Sequence, residues 1–252
     1  MEQRLAQALG IGEREVVTIV GGGGKTTTMF RLGRELRAAG AGVVLTTTTH
    51  IFAPAPEADL ETVVEQDAAR SLAKLREALG RGHLPVVGTD IKPDGRLGGV
   101  SSEVADYFAE HPDLAYVIVE ADGSAHKPFK APLEYEPVVP ASTTLLVAVV
   151  GVDALGMPLD AEHIHRPLRV AELSGAELNQ PLSAEAIASV LVHPLGPLRD
   201  APHGARVLVL LNKADSPERI AAARAIASEL RAVNGPPVII GAVASAALLD
   251  PI

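Results

Sequence analysis

Four consecutive glycines, a lysine and two threonines follow an apolar, β-branched run near the start of the chain. The residues are Gly21, Gly22, Gly23, Gly24, Lys25, Thr26 and Thr27. The backbone N–H groups of such a loop converge on one anion, and the helical pattern that follows adds the positive end of a helix. Lys25 would then reach the β- and γ-phosphates of a nucleotide, and Thr26 would hold Mg²⁺. The spacing therefore predicts a phosphate-binding loop between a strand and a helix.

The loop differs from the usual pattern at one position. The sequence G-x-x-x-x-G-K-[ST] begins with a glycine where this chain has Ile19. A strand residue at this position indicates a tighter loop than that of an ordinary kinase or ATPase. The alternative is a glycine-rich turn with a chance lysine, but the strand–loop–helix context and the Lys-Thr pair favour phosphate binding.

Two acids and a glycine end a later apolar run. They are Glu120, Asp122 and Gly123. A carboxylate there can orient Mg²⁺ or polarise an attacking water, and the Gly123 N–H can meet a γ-phosphate. We therefore expect Lys25, Glu120 and Asp122 to be catalytic, and Thr26 and the two acids to bind the metal. The spacing resembles the E-x-x-G element of the GTPase branch that contains nickel-insertion and cobalamin-linked metallochaperones; the alternative is an ordinary acidic turn.

A third polar strand end contains Asn212, Lys213 and Asp215. It resembles the N-K-x-D motif, in which the aspartate accepts hydrogen bonds from guanine while the other two residues shape the base pocket. Because adenine offers a different donor pattern, such a pocket would favour GTP over ATP. The alternative is a polar turn before a helix that begins near Pro217. Residues 244–246 resemble the short S-A element that backs a guanine ring.

Hydroxyl and ammonium groups lie near these motifs. Residues 46–49 are all threonines at the end of an apolar run, and Thr47 and Thr48 are the preferred contacts for Mg²⁺, a γ-phosphate or a second substrate. Threonine is also simply a favoured strand residue. Lys127 and Lys130 either contact an anionic substrate or are solvated surface lysines.

The composition excludes several classes of protein. The 252 residues include 22 Lys and Arg against 31 Asp and Glu, a net charge of −9, which argues against non-specific binding to nucleic acid or to an anionic membrane. The absence of cysteine excludes disulfides, thiolate metal sites and thiol nucleophiles. The apolar runs are shorter than a membrane helix requires. We expect a soluble, cytoplasmic protein whose oligomeric state the sequence leaves open, a homodimer included.

Apolar strand patterns alternate with helical ones along the chain. The strand patterns lie at residues 16–20, 43–47, 116–119, 145–150, 207–211 and 238–240. The helical patterns lie at residues 26–39, 67–80, 101–110 and 217–233. This order predicts an α/β fold, a P-loop NTPase domain spanning residues 1–252, with a mostly parallel sheet flanked by helices on both faces.

Three segments depart from the alternation. Residues 1–13 are expected to form a short surface helix before the first strand. Residues 85–99 are rich in Gly, Pro and Asp and are expected to form loops or a small hairpin. Residues 151–204 are expected to form a small helical insertion over the active-site edge of the sheet, with helices at 161–173 and 183–191.

Taken in order, the motifs resemble the YqeC family, whose members are described as accessory factors for selenium-dependent molybdenum hydroxylases. The resemblance is carried by residues 20–27, 45–49, 119–124, 127–132, 150–156, 165–167 and 212–215. Outside the motifs already described, it points to Asp153, His165 and Arg166. It implies that the chain binds a nucleotide, GTP or ATP, with Mg²⁺, and acts with a molybdenum hydroxylase or its cofactor intermediate.

The sequence leaves three functions to compare. The first is a Mg²⁺-dependent NTPase, specifically a GTPase, whose hydrolysis drives maturation or delivery of a selenium-containing molybdenum cofactor. The second is a small-molecule kinase that transfers the γ-phosphate to an anionic acceptor held by residues 151–204. The third is a nucleotide-gated scaffold with negligible turnover.

Overall fold

The structure is a computed structural model that describes residues 4–55, 57–245 and 247–248. Its α-helices are α1 (Leu5–Ala8), α2 (Lys25–Ala38), α3 (Ala68–Gly80), α4 (Ser102–Ala109), α5 (Pro167–Ser174), α6 (Ala184–Val192) and α7 (Pro217–Ala232). Its strands are β1 (Glu15–Gly21), β2 (Val43–Thr47), β3 (His50–Phe52), β4 (Leu60–Val64), β5 (Leu84–Gly88), β6 (Arg96–Gly98), β7 (Tyr116–Glu120), β8 (Leu145–Gly151), β9 (Arg206–Asn212), β10 (Val238–Ala242) and β11 (Ala247–Leu248).

One nine-stranded sheet runs through the molecule in the order β11-β10-β9-β8-β1-β7-β2-β5-β4. The strands pair in parallel, apart from the antiparallel pair of β10 with β11. Strands β3 and β6 pair antiparallel in a separate two-stranded sheet. Because β1 lies between β7 and β8, the glycine loop lies between the chain segments that follow these two strands.

Alternating side chains of the central strands enter the cores on the two faces of the sheet. On β8, Val147 belongs to a core with Met29 and Leu32 of α2. Its neighbour Ala148 belongs to the opposite core, which also contains Ile187 of α6. Helices α3 and α4 cover the same face as α6, nearer β2 and β5. The predicted α/β fold, a mostly parallel sheet with helices on both faces, is thus confirmed.

The prediction of loops or a hairpin at residues 85–99 was wrong for residues 85–88. Residues 84–88 form β5, a fully buried strand between β2 and β4. Pro85 is tolerated because it is only the second residue of β5 and lies opposite Glu61 of the edge strand β4. A hairpin does follow, since Ile91 pairs antiparallel with Leu97.

The helices within residues 151–204 pack on a face of the sheet. Ile187 and Leu191 of α6 are buried in the same core as Ile226 of α7 and Val150 of β8. The first helix begins at Pro167, later than the helical pattern at 161–173 indicated. The backbone of Arg166 is left-handed, with φ 61°, and therefore precedes the helix. The segment just before α5 reaches the edge of the sheet where the polar motifs meet.

The short N-terminal helix is also present, but Leu5 and Ala8 bury one side of it against the core that contains α2. Across the described ranges, with their gaps at 1–3, 56, 246 and 249–252, no helix combines the length and apolarity needed to cross a membrane.

Candidate functional site

A cleft of about 550 Å³ lies at the carboxyl edge of the sheet. The glycine loop, the start of α2 and the end of β7 form its floor. Segments after β2 and β9, and the segment before α5, form its walls. In open α/β sheets this edge is where ligands bind. The residues that line the cleft are Gly23, Gly24, Lys25, Thr26, Thr27, His50, Ile51, Phe52, Arg96, Glu120, Gly123, Ser124, Ala125, His126, His165, Arg166 and Lys213.

The loop between β1 and α2 is only three residues long, because β1 continues to Gly21 and α2 begins at Lys25. Ile19 lies in the interior of β1 and is fully buried, in agreement with the tight loop expected from the sequence. Gly24 has φ 125°, and a Cβ there would stand 2.2 Å from the amide nitrogen of Asn212. The close approach of these segments therefore requires glycine.

The amino end of α2 faces the cleft. No side chain caps this helix end, and Thr26 and Thr27 in its first turn line the cleft. The first N–H groups of a helix lack partners within the helix and carry the positive end of its dipole. The cleft floor is therefore suited to a phosphate group.

Lys25 is buried and lies among oxygen atoms. Its Nζ donates to the Gly21 carbonyl at 2.8 Å and lies 3.5 Å from Glu120 and 3.4 Å from Asp122. Burial disfavours its charge, but attraction to Asp122 and then Glu120 raises the pKa of Lys25 above its ordinary value. The side chain is therefore a fixed cation beneath the loop.

Glu120 ends β7 and lines the cleft beside α2. It accepts a hydrogen bond from the Thr26 hydroxyl at 2.7 Å. Burial raises the pKa of Glu120, while attraction to Lys25 and the bond from Thr26 oppose the shift. A hydroxyl and a carboxylate are ligands that Mg²⁺ prefers, so this pair fits the ion. Within the described residues no three His, Cys, Asp or Glu side chains group to hold a metal.

Asp122 lies beneath the loop and is absent from the lining of the cleft. It is fully buried, and both of its carboxylate oxygens accept from the Gly21 N–H, at 3.1 and 3.0 Å. Lys130 lies 3.0 Å from it on the other side. The expected role of Asp122 as a metal ligand is at odds with this position, because the carboxylate is used to hold the loop backbone and two lysines.

Asp122 also belongs to an ion-pair network that the sequence did not predict. The other members are Lys130, Glu136 and Arg166. Lys130 is buried and donates to Glu136 at 2.5 Å and to the Gly123 carbonyl at 2.6 Å. Arg166 donates hydrogen bonds from both of its terminal nitrogens to the Glu136 carboxylate, at 2.5 and 2.9 Å. Burial opposes ionisation of Glu136, but Arg166 and Lys130 hold its pKa at about 2. Lys130 is thus a structural cation and neither a solvated lysine nor a substrate contact.

The three polar residues at the end of β9, which are Asn212, Lys213 and Asp215, have different surroundings. Asn212 is buried: its amide donates to the Gly23 carbonyl at 2.8 Å and accepts from the Val243 N–H at 2.9 Å. Lys213 lines the cleft and pairs with Asp153 at 2.7 Å. Asp215 is about half exposed, pairs with Arg219 at 2.7 Å, and does not line the cleft. The hydrogen bond from Arg219 lowers the pKa of Asp215.

Three further residues that the sequence suggested as ligand contacts have protein partners in the structure. The hydroxyl groups of Thr47 and Thr48 donate to the carbonyls of Glu120 and Val138, so both serve the backbone at the end of β2. Lys127 donates to the Glu162 carbonyl. The element expected at residues 244–246 lies partly outside the described residues, because residue 246 is not described.

His165 also lines the cleft, and only the resemblance of the motifs pointed to it. Burial lowers the pKa of His165 to about 4, and the positive charges of Arg166 and Lys130 add to the shift. Its imidazole is therefore neutral at pH 7, which leaves one ring nitrogen able to donate and the other able to accept.

Comparisons with known proteins agree with the motif order. Residues 17–168 match the model of a family described as YqeC protein. A protein of Escherichia coli strain K12 described as "Uncharacterized protein YqeC" is 31% identical over 199 residues, which are 79% of this chain and 75% of that protein. The crystal structure of signal recognition particle receptor FtsY from Elizabethkingia anophelis aligns with a TM-score of 0.41 at 16% identity, over 91% of this chain. The chain corresponds to 58% of that FtsY chain.

Proposed function

The chain belongs to the YqeC family, and we propose that it binds and hydrolyses GTP at a Mg²⁺-dependent P-loop site. The observation that carries the proposal is the position of Lys25, a buried cation between the glycine loop and Glu120 at the uncapped start of α2. Backbone N–H groups, helix dipole and ammonium then act on the same phosphates.

Thr26 and Glu120 would hold Mg²⁺ together with phosphate oxygens, and the charge of the ion favours the transition state of phosphoryl transfer. Glu120 also orients the water that attacks the γ-phosphate, while the Gly123 N–H contacts the γ-phosphate. Asp122 acts as a positioning residue, since it fixes the Gly21 N–H and Lys25 without reaching the cleft.

The preference for GTP rests on Asp215, which would turn from Arg219 to the donors of guanine. The pair with Arg219 is about half exposed, and ion pairs in contact with solvent contribute little to stability. Guanine can therefore replace Arg219 at little cost. Asn212 would support the base pocket through the loop carbonyl that it already holds.

The role of hydrolysis rests on the resemblance of the motifs. We propose that the cycle serves maturation or delivery of a selenium-containing molybdenum cofactor to a hydroxylase. Transfer of the γ-phosphate to a bound acceptor is the second candidate, favoured by the extension of the cleft to His165 and Arg166.

Replacing Lys25 tests the proposal directly. We expect Lys25→Ala to weaken binding of a fluorescent GTP analogue about 100-fold and to abolish phosphate release, because the cation opposite the β- and γ-phosphates is lost. Lys25→Arg keeps a positive charge beside the two buried acids and guards against a failure to fold. Lys92→Ala, at an exposed lysine paired with Asp90, is the matched control. Unchanged nucleotide affinity in both Lys25 variants would refute the proposed function.

A further inference from the structure

The cleft continues on both sides of β1. Lys213, after β9, lies on one side of β1, whereas Glu120, at the end of β7, and His50, at the start of β3, lie on the other. If the base lies toward β9, the γ-phosphate points toward β7. The part of the cleft next to β2 and the two-stranded β3–β6 sheet then lies past the γ-phosphate.

Cationic and imidazole groups line this far half of the cleft. Arg96 and Arg166 supply guanidinium groups, and His126 and His165 supply imidazoles. Glu120 is the one carboxylate among the described residues that line the cleft, and it lies at the phosphate end. Asp94 pairs with Arg96 and Glu136 pairs with Arg166, but neither acid lines the cleft. Such a wall favours an anionic ligand.

The two-stranded sheet of β3 and β6 places an aromatic ring beside one of these cations. Phe52 and Arg96 are direct cross-strand partners of β3 and β6, so their side chains share one face. Ile51, on the opposite face, is buried. The Phe52 ring is 54% exposed and stacks on His126 with centroids 5.4 Å apart at an interplanar angle of 28°. Because His126 covers one side of the Phe52 ring, a further ring can stack on the other side.

Arg166, in the segment before α5, lines the same cleft. Its guanidinium is fixed by two hydrogen bonds to Glu136, which leaves further N–H donors on the same planar group. The far half of the cleft therefore combines a fixed guanidinium, a second one on β6 and an exposed aromatic ring.

We propose that this half of the cleft binds a second ligand, an anionic small molecule with a planar ring, next to the γ-phosphate. The ring stacks on the exposed side of Phe52, and the anionic group pairs with Arg96 and Arg166. The inference rests on the proposed function, because the nucleotide defines which half of the cleft is left for the second ligand.

Two probes of equal charge test the subsite. Phenyl phosphate and cyclohexyl phosphate are titrated calorimetrically into protein saturated with Mg²⁺ and a non-hydrolysable GTP analogue, which fills the γ-phosphate position. We expect phenyl phosphate to bind about 3- to 10-fold more tightly, because only its ring stacks. Phe52→Ala should remove this difference, and Arg96→Gln should weaken both probes.

Matched controls use exposed side chains outside the cleft. Arg81→Gln removes another exposed arginine paired with an acid, and Leu195→Ala removes another exposed apolar side chain. Both controls should bind the probes as the unchanged protein does. Phe52 and Arg96 are themselves exposed, so their variants should keep the fold, as a thermal melt will verify.

The outcomes separate the two claims. Binding of the GTP analogue with no binding of phenyl phosphate, or with binding that neither Phe52→Ala nor Arg96→Gln changes, overturns the subsite alone. Failure of the GTP analogue to bind overturns the proposed function and the subsite with it.

Discussion

Glu120 and Asp122 are two positions apart in the sequence, but their surroundings indicate different roles. Glu120 reaches the cleft and the Thr26 hydroxyl, whereas Asp122 is enclosed between Lys25, Lys130 and the Gly21 N–H. Replacing Glu120 by glutamine removes a negative charge where a metal and a phosphate would bind. Replacing Asp122 by asparagine removes a negative charge that holds the glycine loop in place.

We therefore expect Glu120→Gln to affect mainly hydrolysis and Asp122→Asn to affect mainly stability. Glu120→Gln should lower the single-turnover rate of hydrolysis more than nucleotide affinity, and should raise the Mg²⁺ concentration required. Asp122→Asn should lower the free energy of unfolding by about 3 kcal/mol, because it removes one of the two carboxylates that lie beside each of two buried lysines. Urea unfolding and Mg²⁺ titrations measure both. Wild-type hydrolysis rates in both variants would show that this acidic strand end is structural.

Asp215 is the residue on which base preference depends. We expect Asp215→Ala to weaken GTP far more than ATP, by about 2 to 4 kcal/mol, since only guanine offers the paired donors. Competition of each nucleotide against a fluorescent analogue gives both affinities. Arg219→Ala serves as the control, because it removes the ion-pair partner of Asp215 and should leave the preference in place. Equal affinities for ATP and GTP in the unchanged protein would contradict guanine recognition.

At the scale of elements, one side-chain amide joins the glycine loop, the end of β9 and the segment after β10. Asn212 donates to the Gly23 carbonyl and accepts from the Val243 N–H. We expect Asn212→Ala to lower the free energy of unfolding by about 1 to 3 kcal/mol, because two buried polar groups lose their partners.

The same change should weaken GTP and ATP equally, since it loosens the loop and leaves Asp215 in place. Urea unfolding and nucleotide competition measure the two effects. Gln180→Ala, which removes an exposed amide, should change neither. A loss confined to GTP would instead place Asn212 in base recognition.

The elements that hold the site were largely predictable, because their patterns are local. The β-branched run before Gly21 and the helical pattern from Thr26 specify β1 and α2 without distant partners. Strand β5 was missed because Pro85 and Gly88 resemble loop residues, although its neighbours in the sheet bury it on both sides. Tertiary packing overrode the local signal there.

At the scale of the whole molecule, pH should act through His165. Its pKa is lowered to about 4, so the stabilisation from a neutral imidazole is fully present above the ordinary value of 6.5. As pH falls below 6.5, the unfolded chain binds a proton that the folded one binds only near pH 4. Folded stability is therefore lost through this window.

We expect the free energy of unfolding to fall by about 1 to 2 kcal/mol more between pH 7 and pH 5 in the unchanged protein than in His165→Asn. Urea unfolding at the two pH values measures this difference. His203→Asn, at an exposed histidine, should keep the full pH dependence. A dependence in His165→Asn as large as in the unchanged protein would contradict a lowered pKa at His165.

The parts of the site that the sequence did not predict depend on distant segments of the chain. Glu136 meets Arg166 across 30 positions, and neither stands in a periodic pattern. Phe52 and Arg96 come together only because two short strands pair across the intervening β4, α3 and β5. Local patterns carry no information about such pairings, whereas the glycine loop is recognisable from seven consecutive residues, 21–27.

The grip of Asp122 on the Gly21 N–H also has a kinetic consequence. The contacts that shape the loop come from the protein's own groups, chiefly this carboxylate and the Asn212 amide. The loop therefore has no rearrangement of its own to complete after encounter, although Asp215 still has to turn to meet a guanine base. Capture of inorganic triphosphate, which has no base, should therefore be a single second-order step, with an observed rate that rises linearly with concentration. For the same reason, the Gly21 amide should exchange its hydrogen with deuterated solvent among the slowest in the chain.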